Sequence, residues 1–161
     1  FALLREEFYI TKEHLRKRNG SINNILVFFG GSDLTNETEK AIKAIKSLNK
    51  PDIKVNVVVG FSNKHKEIIK KQCRSHPQFY FYCQVNNMAE LMNEADLAIG
   101  AGGTTILERW FMELPSIVIS VADNQTKICE DCAEAGLFKY LGKCSEVSVQ
   151  NIINALEEFI K

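Results

Sequence analysis

The sequence predicts an α/β protein built on a doubly wound parallel sheet of about six strands. Three observations carry that expectation. Short apolar runs alternate with stretches of helical periodicity from Ile25 to Ile160. The runs are apolar on successive residues, as strands covered on both faces are. The connections are short, and four that follow strands are polar and in part glycine-bearing. In such sheets ligands bind beyond the carboxyl ends of the strands, so these four loops share one functional rim.

Residues 1–24 read as an interdomain linker or the tail of a missing N-terminal domain, and residues 25–161 as the α/β domain. Phe1 to Phe8 is followed by the basic, polar stretch Lys12 to Asn24, with turn formers at Asn19-Gly20-Ser21. The chain begins at Phe1 rather than Met, and a fragment of a longer protein is expected. Ile25 to Phe29 is an apolar run closed by Gly30-Gly31, a buried strand and a tight turn. Ser32, Asp33, Thr35 or Asn36 then caps a helix running to about Asn49, with Ala41, Ile42, Ala44, Ile45 and Leu48 inward.

Val55 to Val59 is the second strand, stopped by Gly60. A helix from about Lys64 to Arg74 carries Lys64, Lys66, Lys70 and Lys71 as a solvated face. Phe79 to Tyr82 is an aromatic third strand. Val85 to Met88 turns into a short helix, Ala89 to Glu94. The fourth strand, Leu97 to Ile99, leads into Gly100-Ala101-Gly102-Gly103-Thr104-Thr105. Three glycines in four positions let the backbone turn sharply and let a ligand approach the main chain. Thr104 or Thr105 caps the next helix, which is expected to turn Ile106, Leu107, Trp110, Phe111 and Leu114 to the sheet.

Ser116 to Ile119 is the fifth strand. Ala122 to Gln125 opens a helix reaching about Ala135, where Gly136 stops it. Phe138 to Leu141 is an edge strand. Ser148 to Ile160 is a closing helix with Val149, Ile152, Ile153, Leu156 and Ile160 on one face.

Composition narrows the function. The 161 residues suit one domain; 45% are hydrophobic, 25% charged, and the formal net charge is zero. That balance argues against a nucleic-acid binder working through bulk charge. No apolar run reaches the ~20 residues of a membrane span, and the first residues show no signal-peptide pattern. Five cysteines at irregular spacing point to a reduced, cytoplasmic setting.

The central corner favours an anion, because main-chain N–H groups converge where a glycine turn enters a helix. Glu108, four residues after Thr104, faces the same side and suits a ribose diol better than a phosphate. The plain alternative is an ordinary strand–turn–helix corner with a solvated Glu108. The dinucleotide fingerprint, the P-loop and the esterase elbow are all absent. Cys129-x-x-Cys132 stands inside a helix without a second pair and is weak support for redox or metal chemistry. His14, His65 and His76 read as surface residues, and Asp96 as a strand-start residue. No metal and no cofactor are expected.

Phe28 to Asp33, Asn87 to Met92 before Ala95 to Ile99, Gly100 to Thr105 with Glu108, and Leu114-Pro115 resemble the C-terminal half of GT-B glycosyltransferases. The nearest pattern is that of the UDP-GlcNAc transferase of lipid II synthesis. The Gly-Gly-Ser-Asp turn, Ala122 to Gln125 and the stretch Leu3 to Phe8 are similar to the UDP-sugar hydrolase family of pseudaminic acid biosynthesis. Asp123 replaces that family's longer acidic residue.

The resemblance implies a Rossmann-like, UDP-binding half of a GT-B fold. UDP would be held by Gly30, Gly31, Ser32, Met88, Gly102, Gly103, Thr104, Thr105 and Glu108. The diphosphate falls to the glycine loops, the ribose to Glu108 and the uracil to the Met88 loop. Asp123, Asn124 and Gln125 would face the sugar or phosphates. The catalytic residues would lie in the N-terminal domain, which this sequence does not contain. The implied function is hydrolysis of UDP-2,4-diacetamido-2,4,6-trideoxy-altrose by a monomer, with UDP and the UDP-sugar as its ligands. The alternatives are the donor domain of a glycosyltransferase and a non-catalytic nucleotide-sugar-binding module.

Overall fold

The computed structural model describes residues 4–160; the expectations placed on Phe1, Ala2 and Leu3 lie outside them. The elements are α1 (Glu6–Lys12), β1 (Asn24–Phe28), α2 (Glu37–Ser47), β2 (Lys54–Val59), α3 (Lys66–Arg74), β3 (Phe79–Cys83), α4 (Met88–Glu94), β4 (Leu97–Ala101), α5 (Thr105–Phe111), β5 (Ser116–Ser120), α6 (Asp123–Glu134), β6 (Lys139–Lys143) and α7 (Val149–Phe159). The six strands form one sheet in the order β3-β2-β1-β4-β5-β6, and every pairing is parallel. Chain order therefore reverses between β1 and β4. That switch point leaves a crevice at the carboxyl edge, because neighbouring loops depart to opposite faces of the sheet.

The apolar runs become the middle of the sheet. All five residues of β4 and of β5 are buried. One face is covered by α2, α3 and α7, where Ile42, Ile45, Ile69, Ile152 and Leu156 pack on Val27, Val57, Ile99 and Ile117. On the other face Phe8 of α1 and Met88 and Met92 of α4 pack on Leu26, Val58 and Ala98. Farther along it, Ile106 and Cys129 pack on Val118. The edge strands are wetter: Tyr80 of β3 is exposed, and β6 is only partly buried.

The segment read as a linker or tail packs on the domain. Phe8 is fully buried. Arg18 donates to the carbonyls of Met92 and Ala95 at the end of α4 and of Met112 and Glu113 at the end of α5, at 2.7–3.2 Å. A cation there satisfies helix-terminal carbonyls that have no partner within the helix. Asp96, the expected strand-start residue, accepts the N–H groups of Asn23 and Asn24 and pairs with Arg16 at 2.7 Å.

One local expectation is narrowed and one is corrected. Of the four candidate caps for α2, Asp33 performs the role: its carboxylate accepts the N–H groups of Glu37 and Thr38, both at 2.9 Å. Helix α5 turns a different face inward from the expected one. Ile106 and Leu114 are buried as expected, but Leu107 is 40% and Trp110 55% exposed, while Arg109 and Met112 are buried. A helix of two turns offers several faces of similar apolarity. Here the register that lets Arg109 reach the main chain of β4 is the one adopted.

Candidate functional site at the carboxyl rim

The four loops expected on one rim do follow β1, β3, β4 and β5 at their carboxyl ends. Two cavities open among them. The larger, about 530 Å³, is lined by Phe29, Gly30, the stretch from Ala101 to Leu107, Val121, Asn124, Gln125 and Ile128. The smaller, about 220 Å³, is lined by Arg5, Phe28, Gly31, Val58, Val59, Gly60, Gln84, Val85 and Met88. Consecutive residues of the β1 turn thus serve both, Phe29 and Gly30 the first, Phe28 and Gly31 the second. A separate groove of about 440 Å³, beside Trp110, Pro115 and Phe138, opens at the amino ends of β5 and β6, away from the rim.

Close backbone approach shapes both cavities. A Cβ on Gly60 would sit 2.2 Å from the carbonyl oxygen and 2.4 Å from the Cα of Gly31, so the turns after β1 and β2 cross at main-chain contact. A Cβ on Gly102 would lie 2.2 Å from Cys129 Sγ, which supports the glycine loop from α6. Burial, with the Cys132 thiol nearby, pushes the Cys129 thiol up to about 11, so it is neutral and serves as packing.

Gly30, Gly102, Gly103, Thr104, Thr105, Asn124 and Gln125 come together around the larger cavity, and Gly31 and Met88 around the smaller. Met88 is the first residue of α4 and is largely packed into the core. Ser32 is half-buried beside Gly31 and lines neither cavity. Gln125 Oε1 accepts the N–H of Val121 at 2.9 Å, which fixes the side chain over the loop. Asp123 is exposed at the start of α6 and lies outside the lining.

The threonines do not cap as expected. Thr104 stands at the cap position of α5 with helical dihedrals and no side-chain cap bond. Thr105 Oγ1 instead accepts from Arg109 Nη1 at 2.9 Å. Arg109 is 3% exposed, and burial lowers its guanidinium to about 10, so it remains a cation at neutral pH.

Glu108 has a partner that sequence reasoning missed: Arg5 Nη2 donates to its Oε2 at 3.0 Å, from a chain separation of 103 residues. Arg5 lines the smaller cavity and lies 5.2 Å over the Phe8 ring. The ion pair therefore links the smaller cavity to the helix that leaves the larger one. No local pattern announces such a pair. Gly60 and Ile128 were within reach, the first as a fifth glycine on the rim, the second one turn along α6 from Asn124 and Gln125. Among the described residues no three His, Cys, Asp or Glu side chains gather into a metal site, and no helix is long and apolar enough to cross a membrane.

Comparison with known proteins agrees with this architecture. The chain is 32% identical over 145 residues to the spore coat polysaccharide biosynthesis protein SpsG of Bacillus subtilis, covering 88% of this chain and 40% of that protein. It is 28% identical over 144 residues to the UDP-N-acetylglucosamine–N-acetylmuramyl-(pentapeptide) pyrophosphoryl-undecaprenol N-acetylglucosamine transferase of Lactococcus lactis, covering 84% and 40%. It is 24% identical over 136 residues to the UDP-2,4-diacetamido-2,4,6-trideoxy-beta-L-altropyranose hydrolase of Campylobacter jejuni, covering 84% and 47%. The crystal structure of Acinetobacter baumannii MurG superposes with a TM-score of 0.67 at 19% identity, over 94% of this chain and 44% of that one, a likeness of fold. The chain spans less than half the length of each of these proteins. Residues 25–159 match the glycosyltransferase family 28 C-terminal domain, and the chain belongs to that family.

Proposed function

We propose that the carboxyl rim holds the UDP part of a UDP-sugar, without a required metal, in an enzyme that breaks the sugar–diphosphate bond. The observation that carries this reading is the pair of cavities sharing the Phe28–Gly31 turn, with Glu108, which lines neither, held by Arg5 at the edge of the smaller one. The diphosphate lies against main-chain N–H groups of the turn at Gly30-Gly31-Ser32 and of Gly102 to Thr105, where backbone dipoles converge on an anion. The uracil enters the smaller cavity beside Met88. Glu108 takes the ribose hydroxyls through Oε1, since Oε2 is engaged by Arg5. Asn124 and Gln125 face the phosphates or sugar, and Asp123 meets only a sugar that projects past them.

Two reactions use such a half-site. Hydrolysis, with water as acceptor, is the reading that the resemblance to the Campylobacter jejuni hydrolase supports. Transfer to another acceptor is supported by the family itself and by the Lactococcus lactis transferase. Both need a base to activate the acceptor. Neither a histidine nor a carboxylate lines either cavity, which supports a base supplied from a second domain across the rim. The 161-residue chain alone is therefore expected to release no UDP from the diacetamido sugar nucleotide. An assay of the chain, then of the longer protein with and without acceptor, separates the readings. UDP release by the longer protein in plain buffer supports hydrolysis, and release only with an acceptor supports transfer. Turnover by the short chain alone contradicts the two-domain site.

Glu108→Ala is expected to weaken UDP binding by about 1.5–3 kcal/mol, the scale of hydrogen bonds to a charged group. The variant should also bind UDP and its 2′,3′-dideoxyribose analogue equally. Equal affinity of the unsubstituted chain for those two ligands would remove Glu108 from the ribose.

A further inference from the structure

Arg109 is the one buried cation against the rim that makes no direct ion pair among the described residues, with Glu108 attracting it only at longer range. Its Nη2 donates to the carbonyl of Ala101 at 2.6 Å and its Nη1 to Thr105 Oγ1 at 2.9 Å. Its Nε is buried without a hydrogen-bond partner. No carboxylate among the described residues pairs with it, because the adjacent Glu108 is turned to Arg5. Space for the guanidinium comes from Gly100, where a Cβ would stand 2.6 Å from Nη1. The residues it grips, Ala101 and Thr105, bracket the glycine loop that lines the larger cavity.

A guanidinium taken out of water without an opposite charge is costly, and such groups are ordinarily paired. Two neutral acceptors supply hydrogen bonds but no countercharge. An anion seated on the far side of the Ala101–Thr105 loop would complete the arrangement, in a region of low dielectric where screening by water is weak. We infer that Arg109 is a positioning residue for the diphosphate: from behind the loop it fixes Ala101 and Thr105 and supplies the fixed positive charge that the bound anion balances. This rests on the reading of the rim as a nucleoside diphosphate site. Arg109 lines neither cavity, so it acts through the loop and through its field.

The test compares UDP with uridine, which lacks the diphosphate, on the unsubstituted chain, Arg109→Lys and Arg109→Met, with a thermal melt of each. The unsubstituted chain is expected to prefer UDP. Arg109→Met should lose about tenfold or more of that preference while uridine affinity changes little, the size of one charge-assisted interaction. Arg109→Lys, which keeps the charge and alters both hydrogen bonds, should retain most of the preference. If Arg109→Met weakens both ligands by the same factor, Arg109 only shapes the loop and the inference is overturned. If Arg109→Met does not fold, Arg109→Lys decides: loss of its UDP preference overturns the inference, and retention supports it. An unsubstituted chain that binds neither ligand overturns the diphosphate site and this inference together. A chain that prefers UDP equally with Met or Arg at position 109 overturns this inference alone.

Discussion

Gly60→Ala is expected to lower UDP affinity at least about a hundredfold while the chain still folds. The added methyl group meets main chain, with the carbonyl oxygen of Gly31 at 2.2 Å, its Cα at 2.4 Å and its carbonyl carbon at 2.6 Å. A flexible side chain would move aside at little cost, but here one of two turns must shift. The β1 turn serves both cavities, so its displacement alters the proposed diphosphate and uracil subsites together. Forcing an extra carbon into a packed site costs about 1–3 kcal/mol of stability, which leaves a domain of this size folded. Calorimetric titration and a thermal melt check both parts. Unchanged UDP affinity in a folded Gly60→Ala chain would mean that the β1 turn does not hold the ligand.

Gly102→Ala is expected to weaken UDP binding about tenfold or more, and Cys129→Ala in the same chain to restore most of it. Here the obstacle is a side chain, Cys129 Sγ at 2.2 Å from the added Cβ. The methyl pushes the glycine loop into the larger cavity unless the sulfur is removed. Cys129→Ala alone leaves a small void under the loop and should cost about 1 kcal/mol of stability with little change in affinity. The double-mutant cycle should show a coupling of about 1–3 kcal/mol, as residues in direct contact do. Additive losses in the double variant would contradict the packing of Cys129 beneath the loop.

The strands and rim loops were legible because their signals are local. Leu97 to Ile99 and Ser116 to Ile119 are continuously apolar, and all of β4 and β5 is buried. Gly30, Gly102 and Asn124 each follow such a run within a few residues, so parallel pairing alone brings them to one edge. Element ends differed by a few residues: α2 stops at Ser47 rather than Asn49, and β6 runs from Lys139 to Lys143 with a register shift opposite Val118 and Ile119.

What escaped the sequence depends on long-range contacts or on a buried charge. Arg16 donates to the carbonyls of Asn93, Glu94 and Ala95, and its contacts and those of Arg18 reach 74–95 residues along the chain, to carbonyls that any cation could serve. The Arg5–Glu108 pair joins the leading segment to α5, so Glu108 was read with no partner. Gly60 looked like a strand terminator, although its contact with Gly31 is what excludes a side chain. Helix α5 misled because its polarity inverts the usual rule: Trp110 faces solvent and Arg109 faces the sheet. Apolar spacing cannot signal a buried arginine, whose place is set by the main-chain acceptor at Ala101 and the room above Gly100.

The most direct measurement is a calorimetric titration of the 161-residue chain with UDP, in plain buffer and with excess chelator. One saturable site per chain, unchanged by the chelator and weakened at least about a hundredfold in Gly60→Ala, is the result predicted if main-chain dipoles and a fixed cation carry the anion. Binding abolished by the chelator, or no binding of UDP by the folded chain, would contradict it.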